Sequence, residues 1–377
     1  MKVLFACGGT AGHINPALAV AAVLRQENRD TGILFVGNPE RMEARLVPEA
    51  GYDFAPIRVE GFQRKLTPAN IKRNASAIYR LITAPGRVRE ILDAFRPDVV
   101  VGTGGYVSGP VLHEAAKLGY PTLTHESNAY PGVTTKLLAR EVDVVLLAVE
   151  QAKEHLPKNG KYIITGNPVR PELTRANRDD ARRKLGVGGR ICIVSLGGSL
   201  GAERINEAMA ETIAHFFTEG RLHHIHATGS YGVDSFPVSL RRHGLCPLGK
   251  EHLDIREYIS DMADCMAAAD LVICRAGAIT LSELQTVGRA SILIPSPNVS
   301  ENHQYHNAMV LAEKNAAVVI EEKDLTGKLL CDTVKELIDD PQELVNMGRN
   351  AASMARLDAA KHISAEINVL YARAIPK

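Results

Sequence analysis

A glycine-rich stretch near the start of the chain links a short apolar run, residues 3–7, to a helical pattern. Gly8, Gly9 and Gly12 let the backbone turn sharply and let a ligand approach without a Cβ in the way. The following apolar spacing predicts a helix that begins near residue 13 or 14, whose N–H groups and dipole favour an anion above the glycines. His13 has a side chain that exchanges protons near neutral pH. The stretch indicates either an anion site with a candidate base or a tight turn without a ligand.

The spacing of these glycines is not that of a dinucleotide-binding turn. The pattern Gly-x-Gly-x-x-Gly is absent here. The second apolar run, residues 33–37, ends in Asn38 and Pro39 and lacks an acidic residue at its tip, where the ribose of NAD would bind. The sequence therefore disfavours an NAD-dependent oxidoreductase.

Other chemically capable side chains directly follow later apolar runs. They are Gly104, Gly105 and Tyr106; Glu126 and Asn128; residues 275–283; and Asn302, His303 and Gln304. Tyr106 is either a hydroxyl donor or a packed ring, and Glu126 is either a site residue or part of a turn. His13 is the candidate general base that activates an acceptor oxygen, with Glu126 and a substrate phosphate oxygen as competitors.

Residues 275–283 form the motif that most strongly indicates a ligand-binding site. Gly277 and Ala278 allow close approach at a predicted helix N-terminus, which suits a phosphate, and Thr280 can donate a hydroxyl. Glu283 can accept hydrogen bonds from both hydroxyls of a ribose. The alternative is a glutamate that interacts favourably with the helix dipole and binds no ligand. Ser199 and Arg170 are further candidate anion contacts. Asn302, His303 and Gln304 either bind sugar hydroxyls or form an ordinary capped helix start.

Strand-like runs alternate with helical ones along the whole chain, which predicts α/β domains with parallel sheets. A second glycine turn at residues 197–201 repeats the opening pattern of strand, turn and helix. This repeat predicts two Rossmann-like domains whose strand ends face a central cleft, where ligands bind. Strands are predicted at residues 3–7, 33–37, 54–59, 98–102, 121–124, 142–148, 161–165, 190–196, 222–227, 271–274, 291–294 and 317–320.

Composition excludes several classes of protein. The 377 residues suggest two domains, and 44 basic against 43 acidic residues give no nucleic-acid signature. The six Cys form no CxxC pair, so we expect reduced core residues of a cytosolic protein and no metal ligands. No signal peptide and no apolar run long enough to span a bilayer are predicted.

One segment, residues 61–96, is basic and amphipathic. It carries Arg64, Lys65, Lys72, Arg73, Arg80, Arg87 and Arg89, and its only acidic residues are Glu90 and Asp93. Such a segment favours an anionic membrane surface, although a solvated helix packed on its own domain is the alternative.

Several of these motifs together resemble one family. Residues 8–13, 104–110, 125–128, 166–170, 197–202, 275–283 and 302–304 occur in the order found in the MurG family of bacterial peptidoglycan glycosyltransferases. The resemblance covers essentially the whole chain. It implies an α/β fold of the GT-B type, with an acceptor and membrane-side domain at residues 1–164 joined by a C-terminal helix at 358–377, and a UDP-GlcNAc-binding domain at 165–357.

The resemblance also implies an activity. It is the inverting transfer of N-acetylglucosamine from UDP-GlcNAc to lipid I, giving lipid II and UDP, in cell wall biogenesis and hence in cell shape and division. No metal or cofactor is expected. The implied location is peripheral, on the cytoplasmic face of the inner membrane. The implied partners are the two substrates, an anionic membrane surface and cell-wall synthesis proteins, without nucleic acid.

The family's site residues map onto this chain by motif. Ile259 and Met262 would border the uracil, Glu283 would hold the ribose, and His303 and Gln304 would contact the sugar. The whole implied donor set is Thr10, Gly12, Asn128, Arg170, Ser199, Ile259, Met262, Ala278, Ile279, Thr280, Glu283, His303 and Gln304. Gly9, Gly104, Gly105 and Tyr106 would lie on the acceptor side, and His13 and Glu126 would be catalytic. A UDP-GlcNAc 2-epimerase, another nucleotide-sugar-dependent GT-B enzyme and a non-catalytic binding module are the competing hypotheses.

Overall fold

The computed structural model describes residues 1–59, 61, 67–217, 219–246 and 251–374, with side chains except those of 68–79, 81 and 82. The chain divides into two compact units. The first comprises Met1–Val169 and Asp358–Lys377, and the second comprises Arg170–Leu357. The boundary follows Val169, whereas the sequence analysis placed it after residue 164. The later boundary has a physical cause, because the Gly166 carbonyl accepts from His125 and Asn167 donates to the Ser127 carbonyl in the first unit.

The first unit contains a seven-stranded parallel sheet with the strand order β3-β2-β1-β4-β5-β6-β7. Its strands are β1 (Lys2–Ala6), β2 (Gly32–Gly37), β3 (Asp53–Pro56), β4 (Val99–Gly102), β5 (Thr122–Glu126), β6 (Val144–Leu147) and β7 (Tyr162–Ile164). Its first helices are α1 (Ala11–Glu27), α2 (Glu43–Glu49), α3 (Pro68–Phe95), α4 (Ser108–Lys117) and α5 (Val133–Leu138), and Glu150–His155 form a 3₁₀ helix.

The second unit contains a six-stranded parallel sheet with the order β10-β9-β8-β11-β12-β13. Its strands are β8 (Ile191–Leu196), β9 (Leu222–Ala227), β10 (Leu253–Arg256), β11 (Leu271–Cys274), β12 (Ala290–Leu293) and β13 (Ala317–Val319). Its helices are α6 (Pro171–Arg175), α7 (Arg178–Lys184), α8 (Glu203–Phe217), α9 (Ser235–Arg242), α10 (Met262–Ala268), α11 (Ala278–Val287), α12 (His303–Ala312), α13 (Gly327–Asp339) and α14 (Pro341–Ser353), and Ser300–Asn302 form a 3₁₀ helix.

The chain then returns to the first unit as α15 (Ala359–Ala374). Ile363 and Ile367 of this helix join Val3 and Phe5 of β1 in one apolar core, while Leu4 lies in a second core on the opposite face of the sheet. Because both faces are covered, the first strand is apolar without alternation. No helix in the described part of the chain is long and apolar enough to cross a membrane.

Several local predictions differ from the structure, and two of the differences have a clear physical reason. The first helix begins at Ala11, two residues before the predicted start, because the Thr10 carbonyl already accepts from the N–H groups of His13 and Ile14. His13 thus lies inside the first helical turn. Strand β10 has no counterpart in the prediction, because its four residues alternate apolar Leu253 and Ile255 with charged neighbours and form a short edge strand.

Candidate active site

Several of the predicted site residues lie where the order of strands in each sheet reverses. In the first unit this point lies between β1 and β4, and in the second it lies between β8 and β11. Ligands of open α/β sheets bind at such points, beyond the carboxyl ends of the strands. The two glycine turns and the polar loops after β4 and β11 all occupy these positions.

In the first unit, the turn after β1 and the turn after β4 interlock. The Thr103 N–H donates to the Ala6 carbonyl over 3.1 Å, and the Thr103 hydroxyl donates to the His13 carbonyl over 2.7 Å. Gly105 has a φ of +83°, and a Cβ on it would collide with the carbonyl oxygen of Gly8. Only glycine allows the backbone at residue 105 to lie this close to Gly8, so the turn after β4 is packed directly against the turn that precedes His13.

This packing sets the protonation pattern of the His13 ring. Its Nδ1 lies 3.1 Å from the Gly8 carbonyl oxygen and 3.3 Å from the Thr10 hydroxyl. A carbonyl oxygen only accepts, so Nδ1 carries a proton, and in the neutral form of the ring Nε2 is the nitrogen without one. The Nε2 edge lies against Gly104, where an added Cβ would be 2.6 Å from Cδ2 and 3.0 Å from Nε2. A base role for His13 would therefore depend on Nε2.

A buried carboxylate that the sequence analysis missed lies beneath the first glycine turn. Glu43 is 1% exposed, and its two oxygens accept from the N–H groups of Gly9 and Asn38 over 3.1 and 3.0 Å. The Gly9 N–H is therefore directed inward, away from any anion above the turn. Burial, reinforced by Glu43, raises the pKa of the Cys7 thiol well above its ordinary value. In the sequence, Glu43 looks like an ordinary acidic residue in the first turn of a helix.

Glu126 accepts four hydrogen bonds and is 5% exposed. One carboxylate oxygen accepts from the Asn128 N–H at 3.0 Å and from its side-chain amide at 2.9 Å. The other oxygen accepts from the Gly132 N–H at 3.0 Å and from the Thr135 hydroxyl at 2.6 Å. This geometry makes Glu126 the anchor of the loop that precedes α5.

We expect Glu126→Gln to lower the free energy of unfolding by about 2 kcal/mol, because its amide group would face two donors that then lose their acceptor. Denaturant unfolding and the rate of catalysis should fall together. Glu141→Gln, at a partly exposed pair with His113, is the matched control and should change neither. A variant with a lower rate but unchanged unfolding would instead make Glu126 a participant in the chemistry.

Tyr106 is 58% exposed, and its ring lies over Gly61, where a Cβ would collide with it. Tyr106 thus remains largely exposed in the loop that follows β4. His125, directly before Glu126, is fully buried, and its Nε2 donates to the Gly166 carbonyl over 2.9 Å. Burial lowers the pKa of His125, so this ring is a neutral structural element.

In the second unit, the turn at residues 197–201 docks on the loop after β9. The carbonyls of Ser199 and Leu200 accept from the N–H groups of Ser230 and Tyr231, over 3.3 and 3.1 Å. Gly201 has a φ of +86° and no space for a Cβ. Ser199 is exposed on this turn.

Arg170 and Glu283, predicted to contact the diphosphate and the ribose, form an ion pair. The Nη2 and Nε atoms of Arg170 each lie 2.8 Å from the same oxygen of Glu283, which is 5% exposed. Burial raises the pKa of Glu283, and Arg170 opposes this effect. The ion pair holds Arg170 against α11, the helix that carries Glu283. This helix begins at Ala278, directly after Gly277.

The two predicted sugar contacts have defined hydrogen-bonding roles. The Gln304 side-chain oxygen accepts from the Ser296 N–H over 2.9 Å, so the amide NH₂ is the group available to a ligand. His303 donates from Nδ1 to the Ser300 carbonyl over 2.8 Å, which makes Nε2 an acceptor. Glu301 and Asn302 have φ values of 54° and 49°. Such left-handed conformations in non-glycine residues are strained and occur often at functional sites.

Ile259 and Met262, predicted to border the uracil, are 1% and 9% exposed. The preceding loop is held by Arg256, which pairs with Asp254 and Asp261. Among the described residues, no group of three or more His, Cys, Asp or Glu is placed to hold a metal ion.

The chain matches two family descriptions over most of its length. Residues 3–147 match the glycosyltransferase family 28 N-terminal domain, and residues 192–363 match the family's C-terminal domain. A protein of Acetivibrio thermocellus is 43% identical over 96% of this chain and 96% of its own length. A protein of Ruminiclostridium cellulolyticum is 43% identical over 96% of this chain and 98% of its own length. Both are named UDP-N-acetylglucosamine--N-acetylmuramyl-(pentapeptide) pyrophosphoryl-undecaprenol N-acetylglucosamine transferase.

Solved structures show the same relationship. The crystal structure of Acinetobacter baumannii MurG is 30% identical, covers 98% of this chain and 99% of that one, and has a TM-score of 0.78. A UDP-N-acetylglucosamine 2-epimerase structure from Listeria monocytogenes is 16% identical, covers 99% of this chain and 97% of that one, and has a TM-score of 0.69, which shows a shared fold alone.

Proposed function

Because this chain belongs to glycosyltransferase family 28 and has the α/β units of a GT-B enzyme, we propose that it transfers N-acetylglucosamine from UDP-GlcNAc to lipid I. Lipid I is the undecaprenyl-pyrophosphoryl-MurNAc-pentapeptide, and the products are lipid II and UDP. The observation that carries the proposal is the 43% identity, over 96% of the chain, to relatives named for this transfer.

The proposed donor site lies in the second unit. Glu283 holds the ribose, while Ser199, Arg170 and the N-terminus of α11 bind the diphosphate. A guanidinium and a helix N-terminus both stabilise the negative charge that develops on departing UDP. Gln304 donates to a sugar hydroxyl and His303 accepts from one, in keeping with their hydrogen-bonding roles.

The proposed chemistry is a single displacement with inversion. The acceptor hydroxyl attacks the anomeric carbon, a new C–O bond forms, and the bond to the UDP oxygen breaks with its electron pair going to UDP. His13 Nε2 takes the proton of the attacking hydroxyl. Glu126 keeps the loop after β5 in place, and Tyr106 lies on the acceptor side.

The decisive experiment measures transfer of labelled N-acetylglucosamine to a short-chain lipid I analogue, with and without EDTA. We expect lipid II formation that EDTA does not reduce, because charged side chains and helix termini perform the electrostatic work. Donor consumption to an epimer or a free sugar would assign the chain to another enzyme class. Absence of donor binding would contradict the proposal.

We also propose peripheral binding to the cytoplasmic face of the membrane. In α5, Val133 and Leu137 are 60% and 66% exposed, beside Lys136 and the exposed Arg140, a composition that suits an anionic bilayer. In the basic segment predicted for this role, Arg87 pairs with Glu90 and Arg89 pairs with Glu114. Arg64 and Lys65 lie outside the described residues, as do the side chains of Lys72 and Arg73.

Leu137→Glu is expected to reduce sedimentation with vesicles rich in anionic lipid by several-fold, because it places a carboxylate where an apolar side chain would enter the interface. Leu357→Glu, at a 58% exposed leucine of the second unit, is the matched control and should sediment like wild type. If both variants bind the vesicles equally well, α5 does not contact the membrane.

A further inference from the structure

Arg275 joins the ends of three neighbouring strands. It directly follows β11, and its Nη1 lies 3.2 Å from the carbonyl oxygens of Ile294 and Pro295, which follow β12. Its Nη2 pairs with Glu322, which lies beyond β13. The side chains of Arg275 and Glu322 are each only 16% exposed. The Arg275 guanidinium thus links the end of β11 to two backbone carbonyls after β12 and to one carboxylate after β13.

The two segments that Arg275 connects carry different parts of the proposed donor site. The residues directly after it, Ala276 to Ala278, lead into the N-terminus of α11, the proposed diphosphate site. Pro295 is followed by Ser296, whose N–H donates to the side-chain oxygen of Gln304, the proposed sugar contact. The position of the Gln304 amide therefore depends on the segment that Arg275 holds.

We propose that Arg275 is a positioning residue that fixes the sugar-binding loop relative to the diphosphate-binding loop, so that the enzyme recognises the sugar in addition to UDP. This proposal rests on the proposed function. The proposed role of Arg275 needs no contact with the substrate, since its guanidinium binds the carbonyls of Ile294 and Pro295 and the carboxylate of Glu322. A planar guanidinium can satisfy two carbonyls and a carboxylate at once, whereas an ammonium is a point charge without that fork.

The test compares the affinities for UDP and for UDP-GlcNAc in wild type, Arg275→Lys and Glu322→Gln, by titration calorimetry. Both variants are expected to keep UDP affinity within about threefold. Affinity for UDP-GlcNAc is expected to fall about tenfold, as when one well-placed hydrogen bond is lost. The rate constant for transfer should fall as well, because the sugar is no longer held in one orientation.

Arg289→Lys is the matched control. Arg289 is a largely buried arginine at the opposite end of the same sheet, and it donates to the carbonyls of Met266, Ala267 and Gly288. Its replacement should lower stability but leave the ratio of the two affinities unchanged. If Arg275→Lys and Glu322→Gln behave like this control, Arg275 is a structural residue only and the proposal fails. If wild type itself does not bind UDP-GlcNAc, the proposed function fails instead.

Discussion

Replacement of His13 by glutamine is expected to lower the rate of sugar transfer about 10²- to 10⁴-fold, the usual contribution of a general base. Glutamine preserves the size and polarity of the side chain but cannot accept the proton of the attacking hydroxyl. Because Nδ1 donates its proton to the Gly8 carbonyl, the proposed base atom is Nε2. UDP-GlcNAc affinity should change little, and single-turnover transfer measures the loss.

A second variant tests the same geometry without altering the histidine. Gly104 has a φ of +102°, and its Cβ would lie 2.6 Å from His13 Cδ2, so Gly104→Ala should displace the ring and also slow transfer. His113→Gln, at an exposed histidine of the same unit, is the control and should have wild-type activity. A His13→Gln enzyme within tenfold of wild type would assign the proton to another acceptor, such as a substrate phosphate oxygen.

The second large effect concerns acid stability and comes from strand β9. His224 and His226 are fully buried on the same face of this strand, and the His226 ring stacks on Phe236 with centroids 4.2 Å apart. Neither ring nitrogen of His224 has a hydrogen-bond partner among the described residues. Burial, with a smaller contribution from a neighbouring histidine, lowers the pKa of each to about 3.

The direction of the pH effect follows from these values. Both rings are neutral when folded, whereas the unfolded chain binds protons near pH 6.5. The stability that they contribute is therefore fully present above pH 6.5 and is lost progressively as the pH falls towards 3. At pH 5, about 1.5 units below the ordinary histidine pKa, each ring costs about 2 kcal/mol relative to pH 8.

His224→Leu is expected to make the decrease in unfolding free energy between pH 8 and pH 5 smaller by about 2 kcal/mol, because one titrating ring is gone. It should also raise the unfolding free energy at pH 8, because it replaces a buried polar group that lacks a hydrogen bond. Denaturant unfolding at pH 8 and pH 5 measures both effects. His243→Asn, at an exposed histidine of the same unit, is the control and should retain the wild-type pH dependence. An unchanged pH dependence in His224→Leu would mean that His224 is already charged or solvated in the folded protein.

The sequence by itself determined the class of the fold and the positions of most strands. Apolar runs such as residues 3–7 and 271–274 are unbroken because parallel strands are covered on both faces, and this pattern is local. The repeated glycine turns at Gly8 and Gly197 were equally visible, since positive φ angles and close approach restrict the residue type at short range. Family membership, expected from ordered motifs, is confirmed by the comparisons.

Only the tertiary structure decided how the site residues are held. Glu43 and Arg275 make contacts with residues distant in the chain. Nothing in the local sequence distinguishes Glu43 from a surface charge, and the motif that contains Arg275 does not show which groups its guanidinium binds. The four hydrogen bonds of Glu126 and the Nδ1 proton of His13 likewise depend on the docking of separate loops. Local patterns encode which elements form, whereas the protonation and orientation of a side chain depend on partners that folding alone brings together.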